Sequence, residues 1–123
     1  MCIRDSLISS REKAENLGLR PLLRWIGSVS VGTDPRYFGY GPIPATEKLL
    51  QRINLNVEDI GFIELNEAFA AQAIGCMRQL NLSHDNTNVN GGAIALGHPL
   101  GCSGTRIITT LVQQMKRKKK RTI

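Results

Sequence analysis

Residues 90–104 read Asn-Gly-Gly-Ala-Ile-Ala-Leu-Gly-His-Pro-Leu-Gly-Cys-Ser-Gly, and five of the fifteen are glycine. Neither a strand nor a long helix tolerates that density, because each glycine gives up much backbone freedom on ordering and offers no side chain to pack. The segment is therefore a connection, and the rest of the chain has to be built around it. Two readings fit. In one, the bare backbone closes on an anion or a developing oxyanion, helped by the free N–H groups of a helix that starts near Ser103. In the other, the glycines only supply the positive φ of a tortuous turn. A phosphate-binding P-loop is excluded, since no Gly-Lys-Ser/Thr is present.

Elsewhere, helix-like and strand-like segments alternate with Gly, Pro and Asn between them, the rhythm of an α/β fold. Ser9 with Glu12 suggests a capping box for a short helix ending at Gly18. Residues 24–31, with Trp25, Ile26, Val29 and Val31, read as a strand, and residues 32–44 as a Gly/Pro loop. Leu49, Leu50 and Ile53 place a helix over 45–53. Residues 60–65 form a short apolar strand, and Asn66 is positioned to cap a helix over 67–80 with Ala70, Ile74 and Met77 on one face. After the loop at 86–104, residues 105–118 make a last helix with Ile108, Leu111, Val112 and Met115 inward. The order β-α-β-α-(β)-α predicts a small mixed, largely parallel sheet flanked by helices. So few short strands bury little, and stability should be marginal. In such folds chemistry sits where strand ends meet helix starts, here at residues 65–67 and 90–104.

With 123 residues, 41% of them apolar, the chain suits one small domain or part of a larger one and is not disordered throughout. No run approaches the roughly 20 apolar residues of a membrane span, and the N-terminus lacks the order of a signal peptide. A soluble intracellular protein is expected, in the cytoplasm or an organellar matrix. The net charge of +6 is local: Lys116, Arg117, Lys118, Lys119, Lys120 and Arg121 hold six of the 16 basic residues, which leaves ten against ten acidic ones. A neutral body with six aromatics, none near that run, lacks the dispersed basic and stacking face that nucleic acid requires. Neither nucleic acid nor membrane is expected as a partner. Cys2, Cys76 and Cys102 show no CxxC and no metal spacing, so neither a disulfide framework nor a metal site is expected.

His98 lies between Gly97 and Pro99, and the proline holds it extended. Histidine suits proton transfer near neutral pH, though a ring hydrogen-bonded within a turn explains it equally well. His84, in a polar stretch, reads as an exposed loop residue. For Asn66 an N-cap role competes with a site role, and for Glu67 the dipole of the following helix suffices. Cys102, four residues after His98, could form a Cys/His pair but is better read as packing; Cys76 reads as core.

The run Asn-Glu-Ala-Phe-Ala-Ala-Gln at 66–72, followed by Asn-Val-Asn-Gly-Gly-Ala-Ile-Ala-Leu-Gly-His-Pro-Leu-Gly-Cys-Ser-Gly at 88–104, resembles the C-terminal half of a thiolase, an acetyl-CoA C-acyltransferase. Gly-Pro-Ile-Pro-Ala at 41–45 also fits, and the resemblance covers roughly residues 9–117. It implies a thiolase-like fold and thiolytic cleavage of 3-oxoacyl-CoA by CoA, or the reverse Claisen condensation. CoA is then a substrate, and no resident cofactor is implied. On this resemblance His98 is the proton acceptor and an oxyanion-hole donor, Asn66 holds the water that completes that hole, and Ala68 and Phe69 line the pantetheine tunnel. Phe38 stands where the family often has methionine, so no substrate contact is carried over to it. Family members assemble as homodimers or homotetramers.

The family's acyl-carrying cysteine lies in its N-terminal half and its second catalytic cysteine in a Cys-x-Gly-Gly-Gly segment, neither of which this sequence contains. Residues 1–8 and the basic tail at 118–123 do not resemble the family, and both read as truncation or frame scars. The expectation is a partial domain with half of an acyltransferase site, inactive alone. The alternative is a non-catalytic CoA- or phosphate-binding module using residues 91–104 with the basic tail as anchor.

Overall fold

The computed structural model describes residues 6–118; Cys2 and the basic residues Lys119, Lys120 and Arg121 lie outside them. Five α-helices follow in order: α1 (Arg11–Asn16), α2 (Pro42–Ile53), α3 (Ala70–Gln79), α4 (Ala93–Leu96) and α5 (Ser103–Lys118). Two 3-10 helices, Pro35–Tyr40 and Val57–Asp59, complete the regular structure.

Helix α1 is capped by Ser10, not Ser9: its hydroxyl accepts from the Lys13 N–H at 3.2 Å. With Ser10 as cap the third helical position is Lys13, so no Ser/Glu box forms. The exit is as expected, for Gly18 takes a φ of +63° while the Leu19 N–H returns to the Ala14 carbonyl at 2.8 Å. Helix α2 starts earlier than its apolar period suggests. Pro42 and Pro44 need no N–H in a first turn, so both are accommodated there. Left-handed Asn54 ends it, with its φ of 54°.

No multi-residue ladder forms among the described residues. Residues 24–31, expected as a strand, carry no regular secondary structure, and Trp25 and Ile26 are exposed. Extended propensity is realised only against a partner, and none lies beside this segment. The segment at 60–65 pairs at one point, a parallel bridge between Ile63 and Thr87. There the Ile63 N–H donates to the Asn86 carbonyl and the Asn88 N–H donates to the Ile63 carbonyl, each at 2.9 Å. The expected sheet is thus reduced to one parallel contact, placed where it joins residues 65–67 to the glycine-rich segment.

The core gathers on α3. Ala73, Cys76 and Met77 are buried with Leu80, while Ile74 is 46% exposed and Ala70 is exposed too. The inward face is therefore 73-76-77-80, a regular i, i+3, i+4, i+7 stripe that keeps Met77 of the expected 70-74-77 and turns Ala70 and Ile74 outward. Against this stripe lies the 3-10 helix Pro35–Tyr40, which occupies part of the expected loop. Contact is close: a Cβ on Gly75 would come within 2.5 Å of the Tyr40 ring, and the Cys76 thiol donates to the Gly39 carbonyl at 3.5 Å. In α5 only Val112 of the four expected inward residues is fully buried; Ile108, Leu111 and Met115 are half-buried.

This register has a direct test. Met77→Ala should cost about 2–5 kcal/mol and lower the urea midpoint accordingly, whereas Ile74→Ala should cost well under half as much. Equal losses would contradict the 73-76-77-80 face.

Candidate active site

Asn66 was expected to cap α3, yet the helix begins at Ala70 with Phe69 at the cap position. Asn66 lies three positions before that cap, so its carboxamide is free to point elsewhere. It meets His98, with Nδ2 3.4 Å from the His98 Nε2. The two residues are 32 positions apart in sequence, and the Ile63–Thr87 bridge begins the path that brings them together.

The other side of the imidazole is set by a residue that sequence reasoning missed. The His98 Nδ1 lies 2.6 Å from the Ser103 Oγ, and that hydroxyl donates to the Pro99 carbonyl at 3.1 Å. The hydroxyl can donate to Pro99 while accepting from a ring Nδ1–H, an arrangement that suits the tautomer with its lone pair on Nε2. That lone pair faces the Asn66 amide, whose Nδ2–H can donate to it. A His-x4-Ser spacing ending at a helix start was the available signal. Both ring nitrogens are now accounted for, and neither faces Cys102. That half-buried thiol is not part of a Cys/His pair. Cys76, expected in the core, is fully buried, and His84 is exposed.

Glu67 also departs from expectation. It precedes α3 and does not complement that helix's dipole. Its Oε1 accepts from the Asn88 Nδ2 at 2.8 Å and its Oε2 from the Ile94 N–H at 3.1 Å. The Asn88 side chain is itself fixed by Leu65, accepting from the Leu65 N–H and donating to its carbonyl, both at 2.8 Å. The loop glycines divide accordingly. Gly91 and Gly97 adopt positive φ, 89° and 92°, where a side chain is strained. At Gly92 a Cβ would fall 2.1 Å from the Glu67 carboxyl carbon, so a side chain there would have to displace the carboxylate. The anion that this backbone meets is thus an internal carboxylate. Ala68 and Phe69 follow on the exposed surface, Phe69 with 62% of its area open; Phe38 is exposed as well.

Behind the site, α5 turns polar side chains inward. Gln114 accepts from the Asn90 Nδ2 at 3.0 Å, and the buried guanidinium of Arg106 makes no hydrogen bond through Nε or either terminal nitrogen. Glu64 feels that charge. Burial pushes its carboxyl above the usual range; Arg106 draws it back down and the Glu67 charge adds to the rise. Among the described residues no cluster of three or more His, Cys, Asp or Glu is arranged to hold a metal, and no helix is long and apolar enough to cross a membrane.

A family model described as "Thiolase, C-terminal domain" matches residues 19–123. The chain belongs to the thiolase family. It is 56% identical over 115 residues to a 3-ketoacyl-CoA thiolase of Photorhabdus laumondii, covering 91% of this chain and 30% of that protein. A 3-ketoacyl-CoA thiolase of Vibrio parahaemolyticus is 54% identical over 115 residues, covering 91% and 29%. Among solved structures, an acetyl-CoA acetyltransferase of Bacillus anthracis superposes with a TM-score of 0.87 at 44% identity over 89% of this chain and 28% of that one. A human mitochondrial 3-ketoacyl-CoA thiolase in complex with CoA gives 0.87 at 43% identity over 90% and 28%. This thiolase segment therefore has a thiolase-like fold and spans under a third of the length of these relatives.

The raised carboxyl of Glu64 fixes the sign of a pH effect. A group that holds its proton more tightly when folded supports folding below its unfolded pKa and loses that support as pH rises through the folded value. Glu64→Gln should therefore gain stability relative to the unsubstituted chain at pH 7 but not at pH 4, as read by urea unfolding at both. A gain of equal size at the two pH values would refute this account.

Proposed function

We propose that this chain carries the proton-transfer and oxyanion half of a thiolase acyltransferase site, acting on 3-oxoacyl-CoA and CoA. One observation carries the reading: two motifs far apart in sequence converge so that the His98 Nε2 lies 3.4 Å from the Asn66 Nδ2.

In the cleavage direction a thiol gives its proton to the His98 Nε2, and the thiolate sulfur adds to the 3-oxo carbonyl. The C2–C3 bond then breaks, and its electron pair passes into the enolate of the departing acetyl-CoA. That enolate oxygen takes hydrogen bonds from the protonated Nε2–H and from a water held by the Asn66 carboxamide. The enolate carbon collects the proton from His98 and leaves as acetyl-CoA; the acyl group, now a thioester on the thiol, then passes to the sulfur of CoA, whose thiol proton returns to the released thiolate. By accepting from Nδ1–H, the Ser103 hydroxyl would favour the tautomer these steps need. Ala68 and Phe69, exposed beside Asn66, offer an apolar wall to the pantetheine arm.

We assign the acyl-carrying thiol to the N-terminal half of a full-length thiolase polypeptide, itself assembling as a homodimer or homotetramer. Exposed Trp25, Ile26 and Phe38 suit burial against such polypeptide.

Purified as 123 residues, the chain should show no cleavage of acetoacetyl-CoA in the presence of CoA; measurable turnover would refute the half-site reading. In an intact thiolase bearing this segment, His98→Ala should lower kcat by about 10²–10⁴-fold with little change in KM. Equal losses in binding and turnover would argue against proton transfer.

A further inference from the structure

We infer that Glu67 is a positioning residue, whose carboxylate accepts one N–H from each of two turns and so holds the His98 segment against Asn66. Its catalytic consequence rests on the acyltransferase reading, while the clasp itself stands on geometry alone.

The polarity of the clasp is forced. Leu65 presents an N–H and a carbonyl to the Asn88 side chain, each at 2.8 Å, so Asn88 has to place its oxygen toward one and its nitrogen toward the other. Turning the amide over would break both bonds. The remaining Nδ2 hydrogen therefore points at Glu67, 2.8 Å from Oε1. The second neighbour, the Ile94 N–H at 3.1 Å from Oε2, is a donor that cannot be reversed. Position 67 thus faces two donors and needs two acceptors on one planar group. Glutamine offers one acceptor and one donor, which sets an N–H against an N–H. Aspartate is a methylene too short.

The clasp controls where His98 stands. Ile94 lies in α4, a single turn that ends at Leu96, and only Gly97 separates that turn from His98. Asn66 is the immediate neighbour of Glu67. The loop passes directly beneath the carboxylate, as the 2.1 Å approach of a Gly92 Cβ shows. By contrast, the direct Asn66–His98 contact, at 3.4 Å, is too long to fix the arrangement by itself.

The test uses the full 123-residue chain, labelled with 15N, as the unsubstituted form and as Glu67→Gln. With helix content unchanged by circular dichroism, exchange protection of the Ile94 amide should fall about tenfold or more, since a charge-assisted bond is lost. The His98 ring nitrogen signals should move while amides of α2 stay in place. Gly92→Ala, which displaces the carboxylate instead of changing it, should produce the same pair of effects. Unchanged Ile94 protection and His98 signals in a folded Glu67→Gln chain would overturn the inference, as would general unfolding of both variants, which would make the residue structural and not positional. Because neither readout involves turnover, failure here leaves the His98→Ala kinetics to decide the acyltransferase reading separately.

Discussion

Everything around the site depends on how the segment after Ile63 is joined to the segment after Thr87. The backbone supplies one parallel contact there and then diverges, because Asn88 turns into the left-handed region with a φ of 50°. From that point its side chain replaces main chain. The carboxamide pairs with both the N–H and the carbonyl of Leu65 at 2.8 Å, as a neighbouring strand would have done. A peptide-like group on a side chain thus continues the ladder by one rung while the backbone leaves to form the glycine-rich turn. Leu65, Asn66 and Glu67 owe their placement to that substitution, and few side chains other than asparagine combine the amide with tolerance of positive φ.

Helix α2 was legible because Leu49, Leu50 and Ile53 keep a helical period and α1 because Gly18 closes it, whereas Pro42 and Pro44, which open α2, read as part of the loop before it. Less legible was anything that depends on a partner. Residues 24–31 have the composition of a strand, but composition does not supply a neighbour to pair with. On α3 the stretch from Ala70 to Met77 is apolar except for Gln72, so that two adjacent faces fit almost equally, and the close approach of Tyr40 to Gly75 favours one of them.

Local rules also misassigned the site residues. Asn66 before Glu-Ala-Phe has the form of a cap, and Glu67 the form of a first-turn acid; both readings consider only the neighbouring helix. The structure uses the two side chains across the molecule instead, and it is long-range geometry that relocates them. The resemblance to thiolases placed His98 and Asn66 in one site where spacing alone could not. It said nothing of Ser103, Asn88 or Glu67 as their supports. Helix α5 misled for a related reason. An apolar pattern was sought on it, whereas Ser103, Arg106 and Gln114 are buried beside Val112, and Ser103 and Gln114 bond to residues of the loop in front of it. The hydrophobic core is correspondingly thin, with Phe62, Met77, Leu80 and Val112 as its larger fully buried apolar members. That is in keeping with a chain that spans under a third of the relatives it matches.

The absence of a side chain at Gly92 ties that position to the length of the acid at 67. A methyl group at 92 would occupy the space that the carboxylate fills, so a larger residue in the turn has to displace the acid or find a shorter one opposite. Natural variants should change them as a couplet, a bulkier residue in the turn appearing only beside a shorter or neutral one opposite. The glycine thus records a pairwise fit between distant positions, as much a part of the contact as the oxygen atoms it makes room for.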